Sequence, residues 1–124
     1  MRSEWIEYKD KKIFYQDFSN LFYNATAVKE ELAEVQKIVL SQPKNSVLVL
    51  TDMRDTNVGR DLLPAMNAAS AATKDFVRKT AVLGVTGVKR KLADLLTALT
   101  GQPLKYFDDI ERAKEWLVEE NEEE

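Results

Sequence analysis

Four apolar residues in unbroken succession, Val47-Leu48-Val49-Leu50, lie between the turn-forming Gln42-Pro43-Lys44-Asn45 and a polar loop. A strand with one wet face alternates apolar and polar side chains. A short continuous run is what a strand covered on both faces requires, as in the middle of a parallel sheet. The run is too short for a buried helix and carries no capping pattern. Ser46 to Asp52 is therefore read as the central strand around which the chain is built. It opens into Met53-Arg54-Asp55-Thr56-Asn57-Val58-Gly59-Arg60, at the strand end where α/β sheets place their sites.

The flanking sequence supplies companions for that strand. Trp5-Ile6-Glu7-Tyr8 and Ile13-Phe14-Tyr15-Gln16-Asp17-Phe18 are aromatic and β-branched, and Lys9-Asp10-Lys11-Lys12 between them has the polarity of a hairpin turn. After Ser19-Asn20 a helix is expected, capped by Asn24 or Thr26. Its Val28, Leu32, Val35 and Val39 form one stripe, with Lys29, Glu30, Glu31, Glu34 and Lys37 on the wet face. Asp61 is placed to cap a second helix that tolerates Pro64 in its first turn. Leu62, Ala65, Met66, Ala69 and Ala72 give that helix a small-residue face. Thr80-Ala81-Val82-Leu83-Gly84-Val85 reads as a second buried strand.

Thr86-Gly87 then turns into a third helix with Val88, Leu92, Leu95, Leu96 and Leu99 as its stripe, Gly101 as its cap and Pro103 as its stop. Leu104-Lys105-Tyr106-Phe107 is a last strand. Asp108 with Glu111 resembles a capping box, opening a last helix whose inner face is Ile110, Ala113, Trp116 and Leu117. The order β-β-α-β-α-β-α-β-α implies right-handed parallel crossovers, hence an α/β fold with a mixed, mainly parallel open sheet and an antiparallel edge hairpin. Residues 1–118 form one domain in this reading, and 119–124 an acidic, solvated tail.

Composition bounds the chemistry. The 124 residues contain neither cysteine nor histidine, which removes disulfides, thiol nucleophiles, Ser-His-Asp relays and His- or Cys-ligated metals. Asp52, Asp55 and Asp61 at or after the central strand are the carboxylates that acid–base or Mg²⁺ chemistry would use. No nucleophile partners them, so no catalytic residue, metal ligand or cofactor is assigned and the chain is read as a non-enzyme. A net charge of −3 without a long basic stripe disfavours nucleic acid. No run approaches the ~20 apolar residues of a transmembrane helix, so a cytoplasmic protein is expected.

Beyond the order of elements, particular stretches resemble a known group. Ser46 to Asp52, Ala81-Val-Leu-Gly84-Val-Thr-Gly87, and Tyr106-Phe-Asp108 followed by Ala113-Lys-Glu-Trp116-Leu117 are similar to the STAS superfamily. The match is to its small stand-alone, anti-sigma-factor-antagonist-like branch, a fold also compared with lipid-binding CRAL-TRIO domains. The resemblance covers about Ile6 to Leu117 and implies a regulatory module. In the antagonists, the loop after the central strand carries an Asp-Ser pair before a glycine, and the serine is phosphorylated to switch partner binding. The counterpart here is Asp55-Thr56-Asn57-Val58-Gly59. Threonine replaces serine, the glycine stands farther off and the distance from Asp52 is shorter. The resemblance makes Thr56 the candidate phosphoacceptor; the alternative is that Asp55, Thr56 and Asn57 close a loop by local hydrogen bonds.

Two further constellations follow from the residues. Gly84-Val85-Thr86-Gly87-Val88-Lys89-Arg90-Lys91 sets three cations in a helix's first turn, against its dipole and at a few tenths of a kcal/mol each. Parallel strands would bring this turn beside Arg54 and Arg60. A rim of Arg54, Arg60, Thr86, Gly87, Lys89 and Arg90 is thus the candidate site for an anion, an anionic lipid or an acidic partner. Phe14, Phe18, Phe22, Tyr23 and Phe76 are read as core, with an apolar ligand pocket of CRAL-TRIO type as the alternative. The expectation is a regulatory module that binds a protein partner or a small anionic or lipid ligand, with a homodimer allowed.

Overall fold

The computed structural model describes residues 1–57, 59, 62–85 and 104–119. The expected third helix, its Gly101 cap and Pro103, the Asp61 cap and the tail beyond Glu119 lie outside the described residues. The elements are β1 (Glu4–Tyr8), β2 (Lys11–Asp17), α1 (Ala25–Leu40), β3 (Val47–Asp52), α2 (Leu62–Thr73), β4 (Val77–Leu83), β5 (Leu104–Phe107) and α3 (Ile110–Val118). The sheet runs β1-β2-β3-β4-β5 in space, in chain order. β1 and β2 pair antiparallel and the other neighbours pair parallel. Their hairpin turns on two residues, Lys9 and Asp10, both at positive φ, as tight hairpins require.

β3 is central and all six of its residues are buried. Val47 and Val49 join the cluster under α1 and α2, while Leu48 and Leu50 join the cluster under α3. Dry on both faces, each such side chain contributes about 1.5–3 kcal/mol relative to exposure. The layering follows from connectivity. Right-handed crossovers that always step to the same side keep their helices on one face, so α1 and α2 share a face and pack together. The helix after β5 is free to cover the other.

Local chemistry corrects several expected details. Asn24 is the α1 N-cap, accepting from Ala27 N–H at 3.1 Å. Glu31 is not on the wet face: it is buried, and its carboxylate accepts the backbone N–H of Arg2 and of Ser3 at 2.7–3.1 Å. Burial pushes that carboxyl up, and hydrogen bonds from Ser3 and Arg2 outweigh it, leaving it below its ordinary value. In α2, Thr73 rather than Ala72 faces inward; its hydroxyl donates to Ala69 O at 2.8 Å. Asp109, not Asp108, caps α3, accepting from Glu111 N–H at 2.9 Å, so the third helical residue is Arg112 and there is no capping box.

β4 starts at Val77 rather than Thr80, because Lys79 is buried in it. The ammonium donates to Trp116 O at 2.8 Å and Glu119 O at 2.9 Å and lies 4.9 Å from the Trp116 ring centroid. A cation thus caps the negative end of α3 from the neighbouring strand. Lys79→Met, which keeps the stem and removes the charge, should cost about 1–2 kcal/mol. Trp116 fluorescence during urea unfolding reads this, and an unchanged midpoint would show the cap to be idle.

Candidate functional site

Past their paired ends, β2 and β3 stay zipped together. Phe18 N–H donates to Asp52 O at 3.0 Å, Asn20 N–H to Arg54 O at 2.8 Å and Phe22 N–H to Asp55 O at 2.9 Å. Asn57 N–H returns to Phe22 O at 2.6 Å. Thr56 sits in the seam as a bridge partner of Phe22. Its hydroxyl donates to Phe18 O and accepts Leu21 N–H at 3.0 Å, and the residue is 5% exposed. Its hydroxyl therefore ties the loop to its neighbour, while its backbone N–H makes a local bond to Met53 O at 3.3 Å. Phosphorylation would have to break both hydroxyl bonds.

This seam holds three non-glycine residues in the left-handed region: Asn20 at φ 57°, Phe22 at 49° and Asp55 at 59°. Asn and Asp tolerate that conformation because their short side chains bond locally; an aromatic does not. Nor does burial compensate Phe22, which is 60% exposed beside Tyr23 at 85%. Of the other aromatics, Phe14 and Phe18 lie in the core and Phe76 packs against it. The five do not line one pocket.

On the α3 side of the same end lies a buried acid. Asp52 is fully buried. Arg54 grips it through Nε to Oδ1 at 2.9 Å and Nη2 to Oδ2 at 2.6 Å, Arg54 N–H donates to Oδ1 at 3.1 Å, and the Tyr15 hydroxyl donates to Oδ2 at 2.6 Å. Burial pushes the Asp52 carboxyl up. The Arg54 and Tyr15 hydrogen bonds and the Arg54 charge outweigh it and hold the group below its ordinary value. Burial and the bond to Asp52 raise Tyr15, and the bond to Asp52 raises Arg54 against its own desolvation.

Behind this loop, Met53 N–H donates to Leu83 O at 2.9 Å, so the turns after β3 and β4 meet among the described residues. Gly84 makes the approach possible. It stands at φ 85°, and a Cβ there would lie 2.5 Å from Arg54 N.

Of the six expected rim residues, Arg54 is described: its side chain is half exposed and its charge is engaged by Asp52. Arg60, Thr86, Gly87, Lys89 and Arg90 lie outside the described residues, as does Asp61. Asp55 is exposed. Among the described residues no group of three or more acidic side chains is placed to hold a metal, and no helix is long and apolar enough to cross a membrane. Sequence reasoning missed Tyr15, Phe22 and Tyr23 as parts of this end. The available signal was an Asp ending a buried strand with Arg two residues on; the backbone angles of Phe22 left none.

Among the described residues, an open sheet in sequential order, two helices on one face, one on the other, and a central-strand loop clasped between its neighbours define the chain as an α/β module of STAS type. A family model described as SpoIIAA-like matches residues 15–118. The chain belongs to the SpoIIAA-like family, part of the STAS superfamily, whose domains are generally regulatory and non-enzymatic and often bind protein partners. No curated protein and no solved structure matches it.

Proposed function

We propose that this chain is a cytoplasmic regulatory module that engages a protein partner through the zipped loops 18–24 and 53–57. The observation that carries the reading is the Phe22–Tyr23 pair: exposed, adjacent, and held out by a backbone that strains Phe22. Strain of about 1–3 kcal/mol persists where the surroundings enforce it, and it clusters at functional segments. Exposed aromatics are the residues that most often anchor protein interfaces. Sequential strand order also leaves no reversal point between the described strands, where α/β sheets open a ligand crevice. Arg54, spent on Asp52, supports a partner over an anion.

A photo-cross-linking residue in place of Tyr23 should give a dominant adduct of defined mass in cells, absent when the same group replaces Glu34 on α1. Phe22→Asn should remove the adduct while raising stability by about 0.5–1 kcal/mol, since Asn accepts the left-handed conformation. Equal labelling from both positions would sink the partner reading. The alternative is a small anionic or lipid ligand at the same end, resting on Arg60, Thr86, Gly87, Lys89 and Arg90. Native mass spectrometry of freshly purified protein would show it as added mass, and would report a homodimer in the same spectrum.

A further inference from the structure

At the other end of β3, roughly 16 Å along the strand from Asp52, the surface holds a cleft of about 330 Å³ lined by Trp5, Lys12, Gln42, Pro43, Ser46 and Val47. We infer that this cleft is a second binding site, for a small acid with a flat apolar body: an aromatic ring carrying a carboxylate or phosphate. The volume is at the lower end of small-molecule sites, too small for a folded partner's anchor and its surroundings.

The lining dictates the ligand's chemistry. Trp5 stacks on Phe14 with ring centroids 4.8 Å apart and planes 29° from parallel, so one indole face is covered. The residue is still 38% exposed, and with Pro43 and Val47 it offers an apolar plate. Among the described residues, neither the Trp5 indole N–H nor the Lys12 ammonium has a hydrogen-bond or ion-pair partner. Glu7 lies opposite Lys12 in the strand register yet forms no ion pair with it.

The side-chain donors of Gln42 and Ser46 are already committed. The Gln42 amide donates to Ile38 O at 3.3 Å and Ser41 Oγ at 3.0 Å, and the Ser46 hydroxyl to Pro43 O at 2.6 Å. The cleft's uncommitted side-chain donors are two, one of them charged, beside an aromatic surface. A ligand must therefore bring negatively charged acceptors and a ring. Gln42 and Pro43 of the lining follow directly on the C-terminal end of α1, which carries a partial negative charge. Its Ile38 and Val39 carbonyls are covered by the N–H groups of Ser41 and Gln42, and the acid is directed toward Lys12.

The test is a titration of the ¹⁵N-labelled chain with benzoate, phenyl phosphate and uncharged benzyl alcohol, following the two indole N–H signals. The Trp5 signal should shift saturably with both acids at a Kd of about 1 mM, fragment strength, while Trp116 stays still. The stronger of the two acids identifies the headgroup. Benzyl alcohol, and either acid with Lys12→Met, should bind about tenfold more weakly or worse. A Trp5 signal that does not move, moves together with Trp116, or responds equally to the alcohol or in Lys12→Met overturns the assignment. Since Lys12 is an exposed surface residue, unchanged backbone spectra in the variant separate lost binding from lost folding.

Discussion

Replacing Gly84 by alanine is expected to destabilise the protein by about 3–5 kcal/mol, the larger part of an ordinary domain's stability margin. Two costs add at this position. The residue sits at φ 85°, where an L side chain is strained, and the new Cβ would meet Arg54 N at 2.5 Å, Arg54 Cα at 2.7 Å and Met53 C at 2.8 Å. All three are backbone atoms, so no rotamer change relieves the contact. The loop itself would have to move, and it is tied to β4 by Met53 N–H to Leu83 O and to the 18–22 segment by the seam. The change therefore strikes the clasped end of the sheet as well as global stability. Gly59→Ala is the control. A Cβ there meets Asn57 Nδ2 at 3.4 Å, the end of a movable side chain, and its φ is outside the left-handed range. It should shift stability by less than about 1 kcal/mol, in the stabilising direction if unfolded-state entropy dominates. In thermal unfolding the two variants should differ by roughly 10–20 °C. Equal melting temperatures would mean that the turns after β3 and β4 do not touch as described.

What was legible in the sequence was whatever rests on burial periodicity. Val47 to Leu50 announced a strand dry on both sides because nothing polar interrupts it, and the turns at its carboxyl end were placed together by the rule for parallel strands alone. Charged residues that owe their position to backbone groups far along the chain were misplaced. Lys79 looks like loop until the end of α3 arrives above it, so β4 was expected three residues late. Glu31 looks like solvent-facing helix until Arg2 and Ser3 present their N–H groups. Arg54 reads from the sequence as one cation of an anion rim, and the structure adds a fully buried Asp52 that its guanidinium grips. Backbone angles were invisible throughout, which is why Phe22 read as core when the left-handed turn holds it in water.

Measurement decides whether Arg54 serves Asp52 or an anion rim. Arg54→Met should cost about 3–4 kcal/mol at neutral pH, more than the roughly 1–2 kcal/mol expected for Asp52→Asn. The asymmetry comes from exposure: the Arg54 side chain is 51% exposed and Asp52 is fully buried. Stripped of its partner, the guanidinium turns to water, whereas the carboxylate stays dry with the Tyr15 hydroxyl and the backbone N–H of residue 54. The two variants should also part company with pH. In the wild type the Asp52 pKa is depressed, so its contribution is fully present above the unfolded value of about 3.9 and is lost as pH falls through the folded value. In Arg54→Met the guanidinium's bonds and charge are gone, and burial, the largest influence on the group, is opposed only by the Tyr15 hydroxyl and the backbone N–H of residue 54, so the carboxyl rises from its wild-type position. The penalty is then largest at neutral pH and fades as acid protonates the buried carboxyl. The stability gap between wild type and Arg54→Met should therefore narrow on acidification, and the gap to Asp52→Asn should close only below about pH 4. Urea midpoints at several pH values check this. A loss under about 1 kcal/mol for Arg54→Met, flat with pH, is the value for an ordinary exposed ion pair. It would release Arg54 to serve as a surface cation, and with it restore the anion rim as the better account of this end of the sheet.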